Sequence, residues 1–135
     1  MDPIDLVLDR CKIGGLIFKI DVEGYEFRVL RGMEKTLGRA SCFLGIIEVA
    51  ADRLAAAGDS APELISFLNR VGIVARIGRD GRPKIIEPFW QPPQSFHGDL
   101  LIASHSDLLT RLRLSYPIRV LLGRQEPRPV DDQVY

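Results

Sequence analysis

The stretch FKIDVEGYEFRVLRG, residues 18–32, is the part of the chain that best indicates its fold. An apolar run over residues 16–20 leads into it, and such a run is typical of a parallel strand that is covered on both faces. Asp21 and Glu23 come directly after this run, followed by Gly24, which can adopt the positive φ of a sharp turn. Apolar residues spaced by four then resume. The stretch therefore predicts a strand, a turn that carries two carboxylates, and a helix.

Strands and helices alternate along the rest of the chain. The stripe of apolar residues predicts a helix over residues 25–37, which Gly32 can kink or split. A second apolar strand, over residues 42–49, carries Glu48 near its end. The other predicted elements are a short helix in 4–11, a loop or short helical turn in 50–60, a helix over 62–71, strands over 73–77, 84–87 and 99–104, a turn at 79–82, a loop over 88–98, a helix from 106 to about 114 and an apolar run over 118–122.

This order of elements predicts an α/β fold. Strands that alternate with helices imply a parallel sheet with helices on its faces, and the late hairpin adds antiparallel strands at one edge. So few strands leave an unprotected sheet edge, which is a liability for a folded protein. We therefore expect the chain to be the later part of a larger domain, or to pair with another chain.

The composition is that of an ordinary globular domain. The 135 residues are 46% hydrophobic and 27% charged, and 18 basic side chains balance 18 acidic ones. This balance argues against nucleic acid or a membrane surface as the main partner. The sequence shows no membrane-spanning run and no secretory signal, so we expect a cytoplasmic protein. Cys11 and Cys42 are expected to be free and at least half-buried thiols.

Three carboxylates are predicted to converge on one rim of the sheet. Asp21 and Glu23 follow the first strand and Glu48 ends the second, so neighbouring strands would bring them together where ligands bind in parallel sheets. Clustered carboxylates need a compensating cation, and Lys19 lies two residues from Asp21 on the same strand face. Structural alternatives are that Asp21 caps the following helix, that Glu23 interacts with the helix dipole and that Lys19 pairs with Glu48. A divalent metal bound by the carboxylates is a further alternative.

The same residues resemble the FkbM family of S-adenosylmethionine-dependent methyltransferases. The family pattern is an apolar strand ending in Lys-Ile-Asp-x-Glu-Gly, then Glu, Leu and Gly, followed by a second strand that ends in glutamate. The matching positions are Lys19, Ile20, Asp21, Glu23, Gly24, Glu26, Leu30, Gly32 and Glu48, with Asp5 at the aspartate of the family's preceding Leu-Asp element. The resemblance covers roughly residues 3–103 in the order of elements, and it is specific over residues 17–49 and weak beyond them.

The resemblance implies a partial Rossmann-like class I methyltransferase sheet. The chain would supply the fourth strand onward and end in an antiparallel edge. It contains no Gly-x-Gly turn after an early strand and no acidic residue placed for an adenosine ribose, which are the elements that bind most of the cofactor in such domains. Residues 1–122 are therefore interpreted as the C-terminal half of a methyltransferase-like domain, and residues 123–135 as a polar, mobile tail.

The implied reaction is methyl transfer from S-adenosylmethionine to a hydroxyl of a small molecule or a glycan, once the domain is complete. Asp21 and Glu23 are the candidate catalytic residues, with Asp21 as base or substrate-orienting group. Lys19, Gly24 and Glu48 are the candidate substrate-binding residues, and no metal ligand is assigned. His97 and His105 are interpreted as ordinary surface or hydrogen-bonded residues. The alternative function is a non-catalytic remnant or interaction module that oligomerises through its open sheet edge.

Overall fold

The computed structural model describes residues 3–115, which form a mixed α/β domain with one open sheet. The strands are β1 (Gly15–Ile20), β2 (Cys42–Ala50), β3 (Ile73–Ile77), β4 (Pro83–Ile85) and β5 (His97–Ala103). The helices are α1 (Ile4–Val7), α2 (Glu26–Arg31), α3 (Glu34–Arg39), α4 (Ala51–Ala56), α5 (Ala61–Val71) and α6 (Ser106–Ser115). The predicted apolar run at 118–122 and the predicted tail at 123–135 lie outside the described residues.

The five strands lie in the order β1-β2-β5-β3-β4. Strands β1 and β2 are parallel neighbours, as predicted, with Gly15 opposite Cys42 and Ile20 opposite Ile47. Strand β5 runs antiparallel to both of its neighbours, β2 and β3, so β2 and β3 point the same way. Strand β4 pairs antiparallel with β3 at the far edge. The carboxyl ends of β1, β2 and β3 therefore share one rim with the start of β5.

One face of the sheet carries the main core. Helices α2 to α5 pack there, and their fully buried side chains include Leu30, Leu54, Leu64 and Leu68, which meet Ile47, Leu100 and Ile102 of the sheet. Helix α5 begins where the sequence indicates, because the Ser60 hydroxyl accepts a hydrogen bond from the Glu63 amide and Pro62 occupies the first turn. Full burial of each such leucine stabilises the fold by about 1.5–3 kcal/mol.

The other face has a smaller cover. Helix α6 packs Leu109 against Ala75, Leu101 and Ala103, with a few half-buried neighbours. The cover does not reach β1, where Ile17 is 84% exposed. The prediction that β1 is buried on both faces is therefore wrong for the part of the chain described here. The apolar run was a correct signal for a strand, but β1 lies at the edge of this sheet.

Several boundaries differ from the sequence-based prediction. The helix predicted over 25–37 is split, because α2 ends at Arg31 with Gly32 as its C-cap, and Met33 leaves helical geometry with φ −123° before α3 begins. The carboxylate of Asp5 fixes this break by accepting hydrogen bonds from the backbone amides of Lys35 (3.0 Å) and Thr36 (2.6 Å).

Other boundaries, and the exposure of the two cysteines, also differ from the prediction. In the segment predicted as a loop or a short helical turn after β2, the helical alternative holds for Ala51–Ala56, which form helix α4. Strand β5 begins two residues earlier than predicted, at His97. The edge strand predicted over 84–87 is Pro83–Ile85. Cys11 and Cys42 are free thiols as expected, but both are exposed rather than half-buried.

Candidate functional site

The predicted carboxylates meet at the rim where β1 and β2 end. The last register pair of the two strands is Ile20 opposite Ile47, so the next residues, Asp21 and Glu48, lie at the same level. Both side chains line one cleft, together with Glu23, Glu26, Ala50, Arg53 and His97. We call this the acidic cleft. Its free volume is about 10 Å³, room for roughly one water molecule, so its side chains already contact one another closely.

Lys19 provides the positive charge that this cluster requires. Its Nζ lies 2.9 Å from Oδ2 of Asp21, and the two side chains are 49% and 42% exposed. The hydrogen bond that Lys19 donates to the Asp21 carboxylate is the main cause of the raised pKa of Lys19, and the charges of Asp21, Glu48 and Asp99 contribute further. Lys19 therefore stays protonated beside the carboxylates of Asp21, Glu48 and Asp99, which belong to the end of β1, to β2 and to β5.

The turn after β1 has a strained backbone that α4 holds in place. Glu23 has φ +55° and Gly24 has φ +103°, both in the region that favours glycine. A Cβ on Gly24 would lie only 2.7 Å from the backbone carbonyl oxygen of Arg53. The Arg53 side chain forms an ion pair with Glu23, which raises the pKa of Arg53. The turn and its contact with α4 thus require a glycine at position 24. This structural requirement is separate from the predicted role of Gly24 in substrate binding.

Glu26 is the buried carboxylate of the acidic cleft, with 2% exposure. Both of its carboxylate oxygens lie 3.0 Å from the backbone nitrogen of Gly24, which donates to them. The side chain therefore reaches back from α2 to the turn and holds its geometry. The family pattern includes Glu26, but the sequence indicates no role for it, because burial of a first-turn glutamate depends on how α2 packs.

Glu48 has a partner that the sequence did not indicate. Its Oε1 lies 3.2 Å from Nε2 of His97, and the side chains are 27% and 56% exposed. The pairing arises because β2 and β5 run antiparallel, with Glu48 opposite Asp99 and Ala50 opposite His97. His97 and Arg53 are the site residues that sequence analysis missed, and only knowledge of the strand and helix contacts could have identified them.

The geometry does not support the structural alternatives predicted for Asp21, Glu23 and Lys19. Tyr25 occupies the N-cap position of α2, so Asp21 does not cap that helix, and Glu23 precedes its first turn. The ion-pair partner of Lys19 is Asp21. Within residues 3–115, no group of three or more His, Cys, Asp or Glu side chains is arranged to hold a metal ion. His105 lies outside the cleft and contacts the Ser104 hydroxyl at 2.8 Å through Nδ1.

An apolar groove adjoins the acidic cleft. It has a volume of about 540 Å³ and is lined by Pro3, Ile4, Val22, Tyr25, Arg28, Val29 and Gly32. Val22 lines the groove, and its two neighbours in sequence, Asp21 and Glu23, line the acidic cleft. The groove and the cleft therefore meet at the end of β1. The groove lies between α1, the turn after β1 and α2. None of the helices within residues 3–115 is long and apolar enough to cross a membrane.

Comparison with known proteins gives one match. Residues 9–75 match the family described as the Methyltransferase FkbM domain, and this range contains β1, β2, the turn at Gly24 and the whole acidic cleft except His97. No curated protein and no solved structure matches the chain. The resemblance inferred from the sequence is thus confirmed over this range. Residues 9–75 are therefore similar to the Methyltransferase FkbM domain, which supports a relation of this part of the chain to that family of methyltransferases.

Proposed function

We propose that the chain is the acceptor-side half of an S-adenosylmethionine-dependent methyltransferase, which methylates a hydroxyl of a small molecule or a glycan when a cofactor-binding half completes the domain. The strand order supports a relation to the fourth strand onward of a Rossmann-like class I sheet. In particular, β5 lies antiparallel between β2 and β3, which both run parallel to β1. A cytoplasmic location and the absence of nucleic-acid and membrane partners remain part of this proposal.

One observation carries the proposal: Asp21 and Glu48 line the same cleft at the ends of adjacent parallel strands, inside the matched segment. Ligands of open α/β sheets bind outside the carboxyl ends of such strands. A carboxylate beside an ammonium group, such as Asp21 with Lys19, can accept a hydrogen bond from a hydroxyl and orient it.

The roles of the residues follow from the chemistry of the transfer. A C–O bond forms as the S–C bond breaks, and the acceptor hydroxyl loses its proton to a base. In this proposal Asp21 takes or orients that proton, Glu23 and Glu48 position the acceptor, and Lys19 and Gly24 complete the acceptor site. S-adenosylmethionine supplies the methyl group on a sulfonium, and the carboxylates of the cleft complement such a positive charge. The small cleft volume and the missing Gly-x-Gly turn mean that these residues can form only part of a cofactor site.

The experiment combines the full chain with a separately produced N-terminal half of an FkbM domain that carries a Gly-rich turn. We expect the mixture to bind S-adenosylmethionine in calorimetry and to transfer a tritiated methyl group to a panel of hydroxyl-bearing acceptors. Asp21→Asn should keep cofactor binding and lower the transfer rate by a factor of about 100 or more. Asp52→Asn is the matched control, because Asp52 is an exposed carboxylate on α4 that does not line the cleft. Full turnover by Asp21→Asn would refute the catalytic assignment.

The second candidate is an interaction module that oligomerises through its open edge. The observation that favours it is the apolar side chain of Ile17, which is 84% exposed on the edge strand β1. Sedimentation should then give a mass above 15.1 kDa, and Ile17→Lys should restore the monomer. Ile85→Lys, at the opposite edge of the sheet, is the control. A monomeric wild-type chain would eliminate this candidate and leave the methyltransferase proposal unaffected.

A further inference from the structure

A second cleft lies on the same rim of the sheet and has the opposite charge. It has a volume of about 550 Å³, within the range of small-molecule sites, and its lining includes Arg76, Arg79, Asp80, Lys84, Phe96 and His97. We call it the basic cleft. His97 lines this cleft as well as the acidic cleft, so the two are neighbours across the start of β5.

The basic cleft holds positive charge that its own residues do not balance. Arg76 of β3 and Lys84 of β4 are directly opposite in the antiparallel register, so their side chains leave the sheet on the same face. Like charges in that position destabilise a strand pair. Residues 76–84 carry four cationic side chains and a single carboxylate, although the whole chain has no net charge. An anion between Arg76, Arg79 and Lys84 would relieve this repulsion.

Asp80, the one acidic residue in the lining of the basic cleft, stabilises the hairpin turn in which it lies. Oδ1 of Asp80 accepts a hydrogen bond from the backbone amide of Arg82 at 3.1 Å. This bond is the main cause of the lowered pKa of Asp80, and the positive charges of Lys84 and Arg82 add to it. Asp80 is therefore an ionised group that fixes the hairpin, and the three cations that line the cleft still outnumber it.

An aromatic pair positions the cation nearest to β5. The guanidinium of Arg76 lies over the ring of Trp90, with 6.0 Å between its Cζ and the ring centroid. Trp90 in turn packs edge-to-face on Phe96, with ring centroids 5.3 Å apart. This arrangement limits the conformations of Arg76 before any ligand arrives, which lowers the entropic cost of binding one. A planar guanidinium fits the paired oxygens of a phosphoryl group better than an ammonium group does.

We propose that the basic cleft binds a phosphoryl group of the methyl acceptor. This proposal rests on the proposed function above and specifies its substrate class: a phosphorylated compound that also carries a hydroxyl. With the phosphoryl group held by Arg76, Arg79 and Lys84, the rest of the acceptor extends past His97 toward the acidic cleft. The opposite charges of the two clefts thus give the acceptor one orientation along the rim.

The test measures binding without any cofactor, so that its failure can be told apart from failure of the methyltransferase proposal. The ¹⁵N-labelled full chain is titrated with glycerol 3-phosphate, inorganic phosphate and glycerol at low ionic strength. Both phosphates should shift the amide signals of Gly78, Arg79 and Gly98, and glycerol should not. Glycerol 3-phosphate should also shift the amide of His97.

Charge-removing variants establish which cations bind the phosphate. Arg79→Gln and Lys84→Gln should each weaken binding by about tenfold, as expected for loss of a charge-assisted contact. The matched control is Arg82→Gln, because Arg82 has the same charge on the same hairpin but does not line the cleft, so its effect should stay below about twofold. Arg79, Arg82 and Lys84 are all exposed, and the amide spectrum of each variant verifies its fold.

Two results would overturn the proposal. One is the absence of phosphate-dependent shifts at the basic cleft. The other is an equal loss of affinity in Arg82→Gln and Arg79→Gln, which would mean nonspecific attraction to a positive hairpin. Either result leaves the methyltransferase proposal standing. Phosphate binding at the cleft combined with a failure of the completed domain to bind S-adenosylmethionine would instead refute the proposed function.

Discussion

The acidic and basic clefts share one rim of the sheet but are built in different ways. The acidic cleft is compact, and its charges are compensated inside the protein: Lys19 pairs with Asp21, Arg53 with Glu23, and His97 with Glu48. It rests on the core through the contact of Gly24 with α4. The basic cleft is open and lies on a hairpin whose second strand has only three residues. The comparison indicates that one end of the rim provides fixed geometry and the other end provides uncompensated charge.

The largest expected effect tests the fixed geometry of the acidic cleft. Gly24→Ala places a Cβ against the Arg53 carbonyl at a φ of +103°, so it should lower the free energy of unfolding by about 3 kcal/mol. Gly58→Ala is the control, since Gly58 also has a positive φ of +82° but nothing within 4 Å of an added Cβ. It should cost only about 1 kcal/mol. Urea unfolding measures both, and equal losses would show that the contact with α4 contributes nothing.

The next effect concerns the buried carboxylate that holds the same turn. Glu26→Ala leaves the Gly24 amide without its acceptor and should cost about 2 kcal/mol. Glu26→Gln keeps an acceptor oxygen of the same reach, so its loss should stay within about 1 kcal/mol. The measurement is again the urea midpoint with an unchanged m-value. An alanine variant as stable as the glutamine variant would contradict the role assigned to Glu26.

A smaller effect tests the compensation of charge by Lys19. Asp21→Asn should bring the raised pKa of Lys19 down toward its ordinary value of 10.5, measured by NMR titration of the lysine side chain. The pKa of Lys19 is higher in the folded than in the unfolded protein. The ion pair therefore stabilises the wild type fully at pH values below about 10.5, and this stabilisation is lost as the pH rises through the pKa of the folded state. Both side chains are about half exposed, so the loss at neutral pH should be less than about 1 kcal/mol. An unchanged Lys19 pKa would argue against this pairing.

The smallest effect has the opposite sign and tests the basic cleft. Lys84→Gln removes one of two cations that face each other across β3 and β4, so it should stabilise the protein by about 0.5 kcal/mol at low ionic strength. The gain should vanish in high salt, which screens the repulsion. Thermal unfolding at two salt concentrations measures it. Destabilisation at low salt would mean that Arg76 and Lys84 do not repel each other.

Most of the fold could be predicted because its signals are local. Apolar runs and the spacing of apolar residues indicated β1, β2, β3 and α5, and Gly32 was identified as a possible break between α2 and α3. The convergence of Asp21 and Glu48 followed from one further assumption, that β1 and β2 are neighbours. The exposure of Ile17 could not be predicted, because an apolar run looks the same in an edge strand and in a central strand.

The amino-acid sequence by itself determined the strand–turn–helix around Gly24, the placement of carboxylates at strand ends and the similarity of that segment to the Methyltransferase FkbM domain. These features depend on residues close together in the chain. Only the tertiary structure decided that His97 contacts Glu48, that Arg53 holds Glu23 and Gly24, and that Arg76 and Lys84 face each other. Such contacts depend on strand order, register and helix packing, which are set by the burial of the whole core and by no single stretch of residues.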